Sequence, residues 1–167
     1  YLLVFVFGLV IGSFLNVVIY RVPKNISIIK GRSYCPSCNH KINNRDLIPV
    51  LSYLLLKGKC RHCRARIALR YPLLEITTGL LALGIVLVQG IFLPALFTFA
   101  LAAILLSIAV IDYDTMTIPD GLVLALIPVA ILMAWSSGEW NLWSRIIGAL
   151  VISLPMYISL YFIEHAF

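Results

Sequence analysis

The chain has 167 residues, of which 62% are hydrophobic and only 12% are charged, and this balance excludes an ordinary soluble domain and indicates an integral membrane protein. Its formal net charge is +6, and twelve of its thirteen lysines and arginines fall between residues 21 and 70, with Arg145 as the exception. Basic residues gathered in one short loop are typical of the cytoplasmic side of a membrane protein, so the charge pattern favours a membrane topology over nucleic-acid binding.

Residues 1–20 are uncharged over the length that an α-helix needs to cross a bilayer, and we predict that they form the first transmembrane helix. A cleaved signal peptide is the alternative, but the run has no basic leading region and no small-residue cleavage site. Gly8 and Gly12 form a small-xxx-small pair that favours close helix packing. Asn16 is an amide within this apolar helix, so its partner is either a neighbouring helix or a ligand.

Residues 21–70 are basic and polar, and we predict that they form a small cytoplasmic domain inserted after the first helix. Two CxxC pairs lie in it, separated by 21 residues: Cys35, Cys38, Cys60 and Cys63. Four thiolates at this spacing can surround one structural Zn²⁺ ion, whereas disulfides rarely persist in the reducing cytoplasm. His40 and His62 are alternative ligands beside the pairs, although four cysteines already complete a closed site.

The rest of the chain predicts more membrane helices. An apolar segment at residues 47–56 is too short to span, so we expect it to lie on the bilayer surface or beneath the cysteine pairs. Residues 71–167 are predicted to hold transmembrane helices at 73–88, 91–111, 118–135 and 146–163. The expected fold is therefore an all-α integral membrane protein with at least five transmembrane helices, its N-terminus outside and its inserted domain in the cytoplasm.

Acidic side chains are few and lie near the ends of the predicted helices. Residues 111–120, IDYDTMTIPD, hold three of the seven, and Asp112 is the strongest functional candidate because a charge beside hydrocarbon is costly. Asp114 is interpreted as a solvated loop acid, and Asp120 as the acid of a capping box that begins at Thr117. Glu75, in the first turn of the second predicted helix, favours a capping or water-facing role, with proton handling left open.

Together these motifs resemble those of bacterial type IV prepilin peptidases. The resemblance is carried, in the family's order, by GSFLNVVIYRVP at 12–23, LIPVLSYLLLKGKC at 47–60, RYPLLE at 70–75 and IDYDTMTIPD at 111–120. It implies a multi-pass enzyme of the bacterial inner membrane that serves type IV pili or type II secretion. Such an enzyme cleaves prepilins and pseudopilins after a glycine on the cytoplasmic side and then methylates the new N-terminus with S-adenosylmethionine.

The resemblance also implies roles for particular residues. Asp112 would be one of two catalytic carboxylates, one ionised to activate water and one protonated to polarise the scissile carbonyl. The family's second aspartate lies in a Gly-x-Gly-Asp motif that these 167 residues lack, so we expect it after Phe167 and the peptidase region 71–167 to be incomplete. Asn16 and Arg21 are candidates for binding the cofactor or the new amine. A peptidase-inactive zinc-ribbon membrane adaptor and a small transporter are the alternative functions.

Overall fold

The computed structural model describes residues 1–29 and 31–136. Over these residues the chain forms five α-helices and two short 3₁₀ turns, at Val22–Lys24 and Asn44–Leu47. The helices are α1 (Leu2–Arg21), α2 (Leu51–Leu55), α3 (Arg70–Gln89), α4 (Leu93–Thr115) and α5 (Asp120–Ser136). The described ranges contain no β-strand, only two isolated β-bridges, which confirms the prediction of an all-α fold. The chain divides into two units, Tyr1–Met133 and Ala134–Phe167, and helices α1 to α4 lie within the first.

Three of the helices are long and apolar enough to cross a membrane. The candidate spans are Leu2–Lys24, Arg70–Gln89 and Leu93–Thr115, which correspond to the first three predicted transmembrane helices. The fourth prediction corresponds to α5, an apolar helix of 17 residues at the short end of the range that spans a bilayer. The fifth, at residues 146–163, lies outside the described residues.

Helices α1 and α3 approach each other closely along a seam of small residues. A Cβ atom added to Gly12 would lie 2.7 Å from the Cα of Glu75, and one added to Gly8 would lie 2.7 Å from the Cα of Gly79. Neither position leaves room for a side chain, which confirms that Gly8 and Gly12 form a helix-packing pair.

The apolar core lies at the end of the bundle where α1 ends, α3 begins and α4 ends. Its buried members are Leu15, Ile19, Leu74, Ala103 and Ile111. Two buried hydroxyls nearby, on Thr78 and Ser107, donate to carbonyls one turn earlier in their own helices, at 2.7 and 2.9 Å. This buried cluster lies at the end of the bundle that carries the inserted domain.

The junction between α4 and α5 differs from its prediction. Helix α4 continues beyond residue 111 and ends at Thr115, so Asp112 and Asp114 are helical rather than part of a loop. Helix α5 begins at Asp120, and the backbone N–H groups of Leu122 and Val123 donate to the carbonyl of Pro119. Pro119 thus occupies the N-cap position, so the capping box from Thr117 was wrong. The Thr115 hydroxyl donates to Ile111, so the hydroxyl of Thr117 donates to that of Thr115, at 2.7 Å.

Candidate functional site

The four cysteines of the inserted domain converge on one point. Their sulfur atoms all lie within 4.8 Å of one another, and the Sγ atoms of Cys35 and Cys63 are 3.7 Å apart. All four are free thiols. Ligands at about 2.3 Å from a central ion would have sulfurs roughly 3.8 Å apart at the corners of a tetrahedron, so this cluster fits a metal ion and does not form the two disulfides.

The same backbone turn presents each pair of cysteines. The N–H of Cys35 donates to the carbonyl of His40 at 3.0 Å, and the N–H of Cys60 donates to that of Ala65 at 2.8 Å. In each turn the residue after the second cysteine is left-handed, with φ of 52° at Asn39 in the first and 61° at Arg64 in the second. Isolated β-bridges close the two turns, Tyr34 with Lys41 and Lys59 with Arg66. Local hydrogen bonds thus aim each pair of sulfurs, and only the meeting of the two turns requires tertiary structure.

The thiols of the first pair have divergent acidities. Backbone N–H groups of Ser37 and Cys38 donate to the sulfur of Cys35 and lower its pKa to about 6. The N–H of His40 lowers the pKa of Cys38, but desolvation and the neighbouring thiols outweigh it and raise that pKa to about 11. One thiolate therefore forms readily near neutral pH, and further ionisation requires a cation to offset the charge.

The two histidines beside the cysteines are not part of the cluster. The group that can hold a metal ion among the described residues consists of cysteines alone. The rings of His40 and His62 instead stack on each other, with centroids 3.5 Å apart. The alternative in which a histidine replaces a cysteine is not supported by this geometry.

An ion pair connects the second cysteine turn to the chain before the apolar segment. The guanidinium of Arg61 donates to both carboxylate oxygens of Asp46, at 2.7 to 3.2 Å. These bonds hold the pKa of Asp46 below its ordinary value of 3.8.

Asn16 and Arg21, the candidates for cofactor binding, both have structural partners. The Asn16 amide donates to the carbonyls of Tyr71 and Gly12, at 3.2 and 3.3 Å, and so bonds α1 to α3. Its Oδ1 atom is buried and has no hydrogen-bond partner among the residues that the structure describes. The Arg21 guanidinium donates to backbone carbonyls of the following loop: Ser27, Ile28, Gly31 and Arg32. Asn16 thus retains a free acceptor, whereas Arg21 holds the loop.

Glu75 has a role that its position in the sequence did not predict. Helix α3 begins at Arg70 rather than residue 73, so Glu75 lies in the second turn and faces α1, with 8% of its surface exposed. Its carboxyl oxygen accepts the N–H of Val50 at 2.7 Å. The capping or water-facing interpretation was therefore wrong. Val50 has φ of 59° and ψ of −49°, and the N–H of Leu51 bonds to the carbonyl of Pro49, which makes a γ-turn that is rare for a β-branched residue.

The two acids at the end of α4 point in different directions, as expected for residues two apart on a helix. Asp114 pairs with Arg70 at the start of α3, with Nη1 and Oδ2 2.5 Å apart. Its interpretation as a solvated loop acid was wrong, because it lies within the helix and has a partner across the bundle. Asp112 is exposed and makes no ion pair with the described residues, while Ile111 beside it is fully buried.

Two family models match the chain in sequence. The Bacterial Peptidase A24 N-terminal domain matches residues 6–89, from α1 through the cysteine cluster to the end of α3. The Type IV leader peptidase family matches residues 99–166, which include Asp112. The chain belongs to the type IV leader peptidase family.

Curated members of this family are similar over most of the chain. A prepilin leader peptidase/N-methyltransferase of Burkholderia pseudomallei is 37% identical over 163 residues, covering 83% of this chain and 50% of the relative. Proteins of the same name from Aeromonas hydrophila and Neisseria gonorrhoeae are 36% and 38% identical, covering 95% and 86% of this chain and 63% and 59% of the relatives. The chain thus spans half to just under two thirds of these relatives. No solved structure gives a significant match.

Proposed function

We propose that this protein is a membrane-embedded aspartic endopeptidase that removes the leader of type IV prepilins and pseudopilins after a glycine and N-methylates the new N-terminus. One observation carries the proposal: the part of the chain that matches the type IV leader peptidase family places an exposed carboxylate, Asp112, at the end of a membrane-length helix. Relatives named prepilin leader peptidase/N-methyltransferase support the substrate class.

The proposed orientation has the inserted domain and Asp112 in the cytoplasm, the N-terminus outside, and the helices in the lipid of the bacterial inner membrane. The basic residues between α1 and α3 support it, because such loops remain in the cytoplasm. The Arg70–Asp114 pair supports it further, since it places the end of α4 beside the start of α3 and thus beside this domain. In this orientation the basic residues keep the inserted domain on the cytoplasmic side of the membrane. We propose no nucleic-acid partner for them.

In the proposed cleavage, Asp112 supplies one of two neighbouring carboxylates. Two such groups share a proton, so one can activate water while the other polarises the scissile carbonyl. The second aspartate is expected in a Gly-x-Gly-Asp motif, which the 167 residues do not contain. A prepilin whose apolar helix lies in the bilayer would present its scissile bond at the membrane boundary, where α4 ends.

Zn²⁺ is the metal that we propose for the cysteine cluster. Four sulfur ligands in a compact tetrad suit this ion and leave no open coordination position, so its role is structural. The inserted domain, residues 21–70, would depend on it for folding and would take no part in peptide hydrolysis.

S-adenosylmethionine is the proposed methyl donor, and it supplies an electrophilic methyl group when bound. The buried, unpartnered Oδ1 of Asn16 supports a polar ligand near the start of α3, because an amide oxygen can accept a bond from an amine. Arg21 would act indirectly, through the loop at 27–32 that its guanidinium holds. Alanine at Asn16 should lower methylation of a precut pilin while leaving cleavage unchanged.

The decisive experiment compares Asp112→Asn with Asp114→Asn in the complete protein, reconstituted in vesicles with a prepilin. Asp112→Asn should abolish cleavage, whereas methylation of a precut pilin should continue. Asp114→Asn is the matched control on the same helical turn and should still cleave. Cleavage by Asp112→Asn at the unmodified rate would refute the proposed role, and loss of cleavage in both variants would show that the helix end rather than Asp112 is required.

A further inference from the structure

The apolar segment between the two cysteine pairs keeps a hydrophobic surface exposed. In α2, Leu51, Leu54 and Leu55 are 52%, 64% and 73% exposed, and their spacing places them on one side of the helix. Leu47 and Ile48, just before α2, are also exposed. We call these five side chains the leucine face. Contiguous exposed apolar residues of this kind mark a surface for a partner or a membrane.

The opposite side of α2 is fixed to the inserted domain. The Tyr53 hydroxyl donates to the carbonyl of Ile67 at 3.4 Å, and its ring covers Gly58, where an added Cβ atom would lie 2.7 Å from the Tyr53 oxygen. Tyr53 thus orients α2 with the leucine face directed away from its own domain.

The hydrogen bond between Glu75 and Val50 fixes the level of α2 along the membrane-length helix α3. Glu75 lies five residues along α3 from Arg70, which is about 7.5 Å further into the apolar span. Because its carboxyl group binds the N–H of Val50, the start of α2 lies within one side chain's length of that level. The Arg70–Asp114 ion pair marks the charged edge of the bundle. The leucine face therefore begins at the boundary between the charged groups and the apolar helices.

Basic residues flank the leucine face on both sides. Arg45 precedes it and Lys57 follows it, both are exposed, and neither makes an ion pair with the described part of the chain. A short apolar helix bordered by cations is suited to the headgroup region of an anionic bilayer, where the cations meet lipid phosphates and the leucines enter the acyl boundary.

We propose that the leucine face is a lipid-binding surface that inserts into the headgroup boundary of an anionic membrane and holds the inserted domain against the bilayer. The surface is separate from the proposed peptidase chemistry at Asp112. Its occupant is lipid, rather than a second protein, because Val50 is bonded at the level of a membrane-spanning helix.

Photo-crosslinking in vesicles tests this proposal. The photoreactive amino acid benzoylphenylalanine replaces Leu54 in the complete protein, which is reconstituted in phosphatidylethanolamine and phosphatidylglycerol vesicles, irradiated and analysed by mass spectrometry. Leu80, exposed on α3, is the positive control, and Lys41, exposed in the first cysteine turn, is the aqueous control. Leu55 is a second test position, should the change at Leu54 prevent folding.

We expect lipid adducts at Leu54 or Leu55 and at Leu80, with little or none at Lys41. Arg45→Glu with Lys57→Glu should lower the adduct yield at Leu54 several-fold in these vesicles, and should change it little in vesicles of phosphatidylcholine alone. Crosslinks from Leu54 to another part of the chain or to a second copy would overturn the proposal. So would the absence of adducts at both test positions while Leu80 reacts, or equal lipid labelling at Lys41. Prepilin cleavage is measured separately, so failure here leaves the peptidase proposal intact.

Discussion

The cysteine cluster and the bundle end where α1, α3 and α4 meet are built in opposite ways. In the cluster, two copies of one local turn aim the sulfurs, and each turn is complete within eight residues, Tyr34 to Lys41 and Lys59 to Arg66. At the bundle end, the polar contacts join residues far apart in the chain, such as Glu75 with Val50 and Arg70 with Asp114. The cysteine cluster should therefore tolerate substitutions in the neighbouring helices, whereas the contacts at the bundle end depend on how those helices pack.

The largest effect should follow the loss of one metal ligand. We expect Cys60→Ser to reduce zinc content from about one ion per chain to nearly none and to unfold the inserted domain, because a structural zinc site supplies folding free energy. Elemental analysis of the purified protein measures the metal. His62→Ala is the control and should retain the zinc, since His62 stacks on His40 outside the cluster. Full zinc content in Cys60→Ser would mean that the cluster is not the metal site.

The packing seam gives the next largest effect. Gly8→Ala should destabilise the bundle by about 1–3 kcal/mol, because the added Cβ atom meets the backbone of α3 at 2.7 to 2.8 Å. Gly84→Ala, on α3, is the matched control: nothing lies within 4 Å of its added Cβ atom, so it should be neutral or stabilising by up to about 1 kcal/mol. Thermal unfolding in detergent, followed by circular dichroism, measures both. Equal shifts in the two variants would contradict the seam.

Glu75 should give an intermediate and more local effect. Glu75→Ala leaves the N–H of Val50 without its acceptor, which costs up to about 3 kcal/mol for a partly buried group. Hydrogen exchange of the peptide around residues 48–52 should therefore accelerate by roughly tenfold for each 1.4 kcal/mol lost. Glu75→Gln keeps an acceptor oxygen and should exchange more slowly than the alanine variant. Identical exchange rates in the unmodified protein and in both Glu75 variants would show that the bond from Val50 to Glu75 is absent in the membrane.

The smallest effect should come from the ion pair of the inserted domain. Asp46→Asn removes the charge that pairs with Arg61 and should lower the unfolding temperature slightly. Since those bonds lower the pKa of Asp46 in the folded state, they stabilise the domain above the ordinary value of 3.8 and are lost as the pH falls through the lowered pKa. The difference in unfolding temperature between the unmodified protein and Asp46→Asn should be constant near neutral pH and should shrink below about pH 4. Zinc content is measured at each pH, so that the two proteins are compared while both still hold the metal.

The contrast between the two regions also explains what the sequence could predict. The CxxC spacing identifies the four cysteines because the turn that presents them is local. The small-xxx-small spacing identifies Gly8 and Gly12 because residues four apart lie on one face of a helix, but it does not predict that α3 packs against them. The roles of Glu75 and Asp114 could not be predicted, since each depends on a partner 25 or 44 residues away and on the exact start or end of a helix. An error of three residues at the start of α3 was enough to place Glu75 in the wrong turn.

The junction between α4 and α5 shows a second limit of prediction from sequence. The sequence Thr117, Ile118, Pro119 and Asp120 has the composition of a capping box, but α5 begins at Asp120, so Thr117 lies two residues before the N-cap position at Pro119. Composition predicts that a helix starts here but does not decide which residue is its N-cap.

Because the leucine face lies between the two cysteine pairs, a metal ion bound by the cluster would act as a crosslink around it. An ion held by both pairs closes the intervening 21 residues into a ring, which limits the conformations open to α2. By analogy with a disulfide around a loop of similar length, the ring would lower the entropy of the unfolded segment and so stabilise the folded one by on the order of 3 kcal/mol. Chelation would open the ring and leave the leucines attached to a long flexible chain, so metal supply would govern how firmly this part of the protein binds the membrane.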